Sequence, residues 1–354
     1  MEHPSMHIPE TMHAVIFHAP LDIRYETVEV PTPQAGELLV KVHHALTCGT
    51  DLKCYKRGHP VLLGDLPSPF GHEFAGTVVG LGEGVTQWTL GDRVVSANSA
   101  PCYDCFYCDK AQYNLCEHLK LLNGAYAEYI IIPEKIAHYN THRLPDDLPF
   151  EIAAFTEPLA VAIRAVHGID IQAGDNVLVL GLGPIGQLIV KVATLLGANV
   201  TAVARTPMKL DMARSFGGAV QTISIAEGLE AQTLVKNFSP QGRGWDAVIE
   251  AVGLPETWEK AVQLCRRGGK VHWFAGCAGG STIALDTKRV HYDEITLYSL
   301  FHHTPADVKQ AFDLLASGQV DPRPLISANF ALANVEEALK GMESGRFFKA
   351  SIQC

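Results

Sequence analysis

The sequence predicts a two-domain α/β chain, a β-rich first domain followed by a doubly wound parallel sheet with helices on both faces. Three observations predict it. The 354 residues are enough for two domains with buried cores. Residues 13–45 alternate apolar and polar positions and are cut by Pro20, Pro31 and Pro33, a strand pattern. From about residue 150, short apolar runs alternate with helix-like stretches at the spacing of a parallel sheet.

Taken in order, Val15-Ile16-Phe17 and Leu38 to Val42 read as strands. Thr77-Val78-Val79, a glycine-rich turn at 80–84 and Arg93-Val94-Val95 continue the pattern, and Tyr129 to Ile132 closes it before Pro133. Glu151 to His167 reads as a buried helix that Pro158 kinks or breaks. Asn176 to Leu180 is a strand, followed by Gly181-Leu182-Gly183-Pro184-Ile185-Gly186 and a helix reaching Leu196. Val200 to Ala204, Ala247 to Ile249 and Lys270 to Phe274 are further strands, and residues 304–354 mix helix and strand.

Composition excludes several classes. Apolar residues make up 47% and charged residues 19%, which rules out a disordered chain. The formal charge of −10 gives no global field toward nucleic acid or an anionic membrane. No apolar stretch reaches the ~18 residues of a membrane span. The N-terminus lacks a basic segment followed by an apolar one, so the expected location is cytoplasmic.

Nine cysteines in such a chain call for something other than disulfides. Cys102, Cys105, Cys108 and Cys116 follow C-x2-C-x2-C-x7-C, spacing that lets successive thiolates surround one ion. A closed four-thiolate zinc site with a structural role is the expected result. An iron–sulfur cluster would need the same ligands, but the last gap does not match ferredoxin spacings.

Gly181, Gly183 and Gly186 follow a strand and open a helix, the context a dinucleotide-binding turn requires. The next strand ends Val203-Ala204-Arg205-Thr206, with no carboxylate where NAD enzymes grip the ribose hydroxyls. Arg205, with Thr206 and Lys209 nearby, suits a 2′-phosphate, so NADP(H) is expected over NAD(H).

Cys48-Gly49-Thr50-Asp51, Gly71-His72-Glu73 and Glu157-Pro158-Leu159-Ala160 supply sulfur, nitrogen and oxygen, a donor mix suited to an open catalytic zinc. With these motifs, the cysteine loop ending Tyr113-Asn114-Leu115-Cys116, Ala127-Glu128-Tyr129 and the glycine turn, the chain resembles the medium-chain zinc-dependent alcohol dehydrogenases from about residue 12 onward. Glu157, where simple alcohol dehydrogenases of that family have cysteine, points to the polyol (sorbitol-type) and threonine dehydrogenase branch.

The resemblance implies a GroES-like catalytic domain over 1–162 carrying the zinc loop 102–116, a Rossmann domain over 163–297, and a return to the catalytic domain over 298–354. The active site would lie between the two domains. Cys48, His72 and Glu157 would hold the catalytic zinc, which polarises the substrate oxygen, with Glu73 a fourth or exchangeable ligand. Thr50 would relay the alcohol proton. The family's relay histidine is here Lys53, which either completes the path or faces solvent or a cofactor phosphate. Phe274 and Leu300 would line the nicotinamide pocket, whereas His302 and His303 have no motif partner and read as packing or surface.

The expected activity is hydride transfer between NADP(H) and a secondary alcohol or ketone, a polyol or ketose first. A threonine-type dehydrogenase, a broad alcohol/ketone reductase and a catalytically silent NADPH-binding protein are the alternatives. Two zinc ions per chain, a small-molecule substrate and a homodimer or homotetramer complete the expectation.

Overall fold

The computed structural model describes residues 8–226, 228 and 230–354. Residues 1–7, on which the reading of a leader-free N-terminus rests, lie outside that set. The chain forms two compact units, one of residues up to Ala160 together with Thr304–Cys354, the other Val161–His303. Helix Thr156–His167 carries the chain from the first to the second.

The first unit is built mainly from strands. Its largest sheet runs in the order Thr141–Arg143, Arg93–Ser96, Phe74–Leu81, Leu38–Leu46, Lys349–Gln353 and Ile326–Ala331, with Tyr129–Ile132 also paired to Leu38–Leu46. A smaller sheet pairs Thr11–Ala19 with Asp22–Glu29 and Ser68–Pro69. Alternation in the strands sends Phe17, Phe74, Ile132 and Ile352 into one core with Phe70 and Tyr126. Strand Lys349–Gln353 thus lies inside the first unit's sheet, between Leu38–Leu46 and Ile326–Ala331, a pairing no local pattern announces.

The second unit is a six-stranded parallel sheet in the order Gln221–Ser224, Asn199–Ala204, Asn176–Leu180, Trp245–Glu250, Cys265–Trp273, Thr296–Tyr298. Numbered along the chain this is 3-2-1-4-5-6, the order of dinucleotide-binding sheets, in which ligands bind where the order reverses. That point lies between Asn176–Leu180 and Trp245–Glu250. Leu178, Val203, Trp245, Val248 and Val271 fill one side of its core.

Two local expectations are corrected. The helix read as Glu151 to His167 is two helices, Phe150–Ala153 and Thr156–His167. The break falls at Ala154-Phe155, and Pro158 sits in the first turn of the second helix, where its missing N–H costs no hydrogen bond. The β-rich first unit also contains a helix, Gly49–Arg57, at its functional centre. Among the described residues no helix is long and apolar enough to cross a membrane.

One buried side chain in the second unit makes stability pH-dependent. His272 is fully buried on strand Cys265–Trp273, its Nδ1 2.9 Å from the Ala165 carbonyl, and burial lowers its pKa to about 4. The unfolded chain takes up this proton near pH 6.5. The contribution is therefore complete above that pH and lost as pH falls toward 4, a penalty of roughly 2 to 3 kcal/mol by pH 4.5. Urea unfolding of His272→Gln should show that much less loss between pH 7 and pH 4.5 than the wild type.

Candidate active site

The strand register delivers the first group of residues to one place. Leu38–Leu46 and Phe74–Leu81 are antiparallel with Ala45 opposite Phe74, so Cys48, just beyond the first strand, and His72-Glu73, just before the second, leave the same end of the sheet. Strand Lys349–Gln353 pairs with the other side of Leu38–Leu46, Ser351 opposite Leu46, which brings Lys349 to that end too. The ligand atoms of Cys48, His72 and Glu73 all lie within 4.8 Å of one another.

Cys48 caps the helix that follows it. Its Sγ accepts the Thr50 N–H at 3.4 Å, and its own N–H donates to Asp51 Oδ2 at 3.1 Å. Asp51 is fully buried and serves three partners. Oδ2 also accepts the Tyr126 hydroxyl at 2.6 Å, and Oδ1 lies 2.8 Å from His72 Nδ1. A carboxylate on Nδ1 fixes the imidazole and leaves Nε2 for a metal. Gly71 (φ +90°) permits the close backbone approach, because a Cβ there would lie 2.7 Å from the Tyr126 ring.

Glu73 has no exposed surface and forms an ion pair with the equally buried Lys349 through Oε2. Lys349 also donates to the Thr47 carbonyl at 2.7 Å. Burial works against its ammonium, but Glu73 and Cys48 outweigh it, so its pKa is raised and the proton stays. The other Glu73 oxygen, Oε1, is buried without a hydrogen-bond partner. An orphaned carboxylate oxygen beside a thiol and an imidazole is a donor set left open for a cation, and the mix fits catalytic zinc. Glu157, expected as a ligand, is not in the trio, while Glu73 is. Glu157 is buried nearby; burial lifts its carboxyl to about 7 against the pull of His72.

Thr50 and Lys53 both lie exposed on helix Gly49–Arg57, three residues apart and so on one face. The other metal motif also closes up. The sulfurs of Cys102, Cys105, Cys108 and Cys116 lie within 4.8 Å of one another, with Cys102–Cys108 and Cys105–Cys116 at 3.9 Å. Four bonds of 2.3 Å in a tetrahedron place sulfurs about 3.8 Å apart, so the loop has the span of a four-thiolate zinc site. The N–H groups of Cys102, Asp104 and His118 donate to its sulfurs at 3.2–3.3 Å. Backbone N–H groups of Cys108 and Glu117 lower Cys105 to about 6, a thiolate at neutral pH.

In the second unit, Gly181 (φ +92°) turns the chain under Ala251-Val252 at the switch point, and a side chain at Gly186 would overlap the Gly181 carbonyl. Gly183, which caps helix Pro184–Leu195, has open space where a Cβ would point, room for a pyrophosphate at the helix N-terminus. Pro184 takes the first helical position and Ile185 follows. Ala204 is buried at its strand's end, Arg205 and Thr206 are exposed, and Lys209 is half-buried on helix Pro207–Met212. Phe274 lies just past strand Cys265–Trp273, its N–H donating to the Glu250 carbonyl at 3.0 Å, and Leu300 packs against Gly168. The rings of His302 and His303 lie with centroids 3.9 Å apart at a tilt of 32°, the latter residue buried.

Sequence reasoning missed Lys349, Tyr126 and Glu250. Glu250 is buried and accepts the N–H groups of Val252 (2.8 Å) and Gly253 (3.0 Å) and the Thr257 hydroxyl (2.7 Å), holding the loop that faces Gly181. The position of Asp51 three residues after Cys48 was a readable capping signal, whereas Lys349 had none.

Comparison with known proteins agrees with this geometry. Residues 34–146 match the family model of the alcohol dehydrogenase GroES-like domain, and residues 184–317 that of zinc-binding dehydrogenases. The chain is 32% identical to sorbitol dehydrogenase of Bacillus subtilis (strain 168) over 94% of both chains. It is 32% identical to erythritol/L-threitol dehydrogenase of Mycolicibacterium smegmatis over 97% of both. A Sinorhizobium meliloti 1021 protein solved with NADP superposes with a TM-score of 0.90 at 28% identity, covering 98% of this chain and 100% of that one. With a GroES-like unit, a Rossmann unit and a sulfur–nitrogen–oxygen trio, the chain belongs to the medium-chain zinc-dependent alcohol dehydrogenases, on the polyol and threonine dehydrogenase-like branch, and is an alcohol oxidoreductase using a nicotinamide cofactor.

Proposed function

We propose that the enzyme interconverts a polyol and its ketose with NADP(H), using two zinc ions per chain. The observation that carries this reading is the trio of half-buried Cys48 with buried His72 and Glu73, and its orphaned Glu73 oxygen. These residues, with Glu157 beside them, would hold the catalytic zinc; the four cysteines would hold a structural one. Zinc at the trio supplies Lewis acidity toward the substrate oxygen.

The chain's own residues do the rest. Asp51 keeps the His72 ring oriented, and Lys349 balances the Glu73 charge. Thr50, exposed two residues past the helix cap, takes the hydroxyl proton in oxidation and returns it in reduction; Lys53 on the same face lies on the way to solvent. Phe274 and Leu300 would border the nicotinamide ring, which would supply the hydride acceptor in oxidation and the hydride donor in reduction. The Gly181–Gly186 turn receives the pyrophosphate and the Ala204–Lys209 segment the adenosine ribose.

A polyol substrate is supported by the sorbitol and erythritol/threitol dehydrogenase relatives and by the Glu157-Pro158-Leu159-Ala160 run. NADP(H) is supported by buried Ala204 and exposed Arg205 where an NAD enzyme presents a carboxylate. A homodimer or homotetramer in the cytoplasm completes the reading, by analogy with the family. Sugar alcohols, ketoses, threonine and simple alcohols assayed with NAD and NADP test it. Turnover should be highest on a polyol–ketose pair with NADP(H), and a preference for threonine would overturn the substrate assignment. Arg205→Asp should cost NADP about 1.5–3 kcal/mol, at least tenfold in kcat/KM, and shift preference toward NAD. A wild type that already prefers NAD strongly would overturn the cofactor assignment.

A further inference from the structure

Gln187 is fully buried on helix Pro184–Leu195, one residue after the last glycine of the phosphate turn. Its Nε2 donates to the Lys209 carbonyl at 2.8 Å and to the Leu182 carbonyl at 3.4 Å. Leu182 lies inside the phosphate turn, and Lys209 lies on the helix that follows Arg205-Thr206. A single amide therefore ties the two backbone segments that would grip opposite ends of the adenosine diphosphate portion of the cofactor. The Lys209 carbonyl also accepts from Ala213 N–H, so the amide docks onto an already formed helical turn.

The arrangement costs something that packing alone does not explain. Gln187 Oε1 is buried without a partner, and an apolar side chain of the same length would fill the space without stranding an acceptor. What only the amide supplies is the pair of donations, and hence a set spacing between the turn and the Arg205–Lys209 segment.

We propose that Gln187 is a positioning residue for cofactor selectivity: by tethering Lys209 to the phosphate turn, it holds the Arg205–Lys209 segment at the distance that a 2′-phosphate requires. This rests on the NADP(H) reading above. Pyrophosphate binding needs only the turn, but recognition of the 2′-phosphate needs both segments in register.

The test is direct binding of NADPH and of NADH to the zinc-loaded enzyme, read by nicotinamide fluorescence, for wild type and Gln187→Met. Loss of the tether should weaken NADPH about tenfold, the worth of a lost hydrogen bond, and NADH by less than threefold. Equal weakening of both by Gln187→Met, in a wild type that prefers NADPH, would overturn the tether and leave the NADP(H) reading standing. A wild type that binds NADH more tightly would overturn that reading and the tether with it. Circular dichroism verifies that the variant is folded. Gln187→Ala, which removes the amide without adding bulk, carries the same predicted change in ratio if the methionine variant does not fold.

Discussion

Replacing Lys349 with methionine should destabilise the first unit by about 3–5 kcal/mol, because it strands the Glu73 carboxylate in the core without its counter-charge. Glu73 has no exposure, and its Oε2 has Lys349 as its partner. Burying an unpaired charge costs far more than the pair itself contributes. The diagnostic comparison is the double variant Lys349→Met with Glu73→Gln, which replaces the two charges with neutral groups and should recover at least half of the loss. Urea unfolding in the presence of a chelator measures this without a metal ion taking over the role of the ammonium. A double variant as unstable as Lys349→Met would mean that the lysine acts through the Thr47 carbonyl or the Phe155 ring, over which its Nζ sits at 5.7 Å.

Cys48→Ser should lower kcat/KM about 10³-fold, the several kcal/mol that a Lewis acid contributes at the reacting oxygen. Serine keeps the size of the side chain but is a weak zinc ligand, since its hydroxyl stays protonated at neutral pH. The helix cap survives, because Cys48 N–H still donates to Asp51 and a hydroxyl accepts from Thr50 N–H as the sulfur does. The activity loss should thus come with little change in stability. Cys102→Ser should do the reverse, weakening the loop while sparing the chemistry of those molecules that keep the catalytic ion.

Most of this architecture is legible along the chain, for identifiable reasons. The parallel sheet declares itself through apolar runs such as Asn176–Leu180 that precede glycine turns, since strands covered on both faces carry few polar residues. The cysteine loop declares itself through spacing alone. The helix Gly49–Arg57 was available too: Cys48-Gly49-Thr50-Asp51 places an acceptor three residues after the cap, and Lys56-Arg57 lie in the last turn. What could not be read locally are long-range pairings. Lys349 reaches Glu73 across 276 positions, and only the register of the last strand against Leu38–Leu46 brings it there. Likewise, the approach of Cys48 to His72 and Glu73 depends on the antiparallel register of Leu38–Leu46 against Phe74–Leu81, which no local pattern encodes.

The central claim is a catalytic ion at Cys48, His72 and Glu73, separate from the ion of the cysteine loop. Zinc content per chain tests it most directly, measured by elemental analysis on the wild type and Cys48→Ser in parallel. Two equivalents of zinc in the wild type and one in the variant are predicted; a single equivalent in the wild type, or no loss on replacing Cys48, would contradict it.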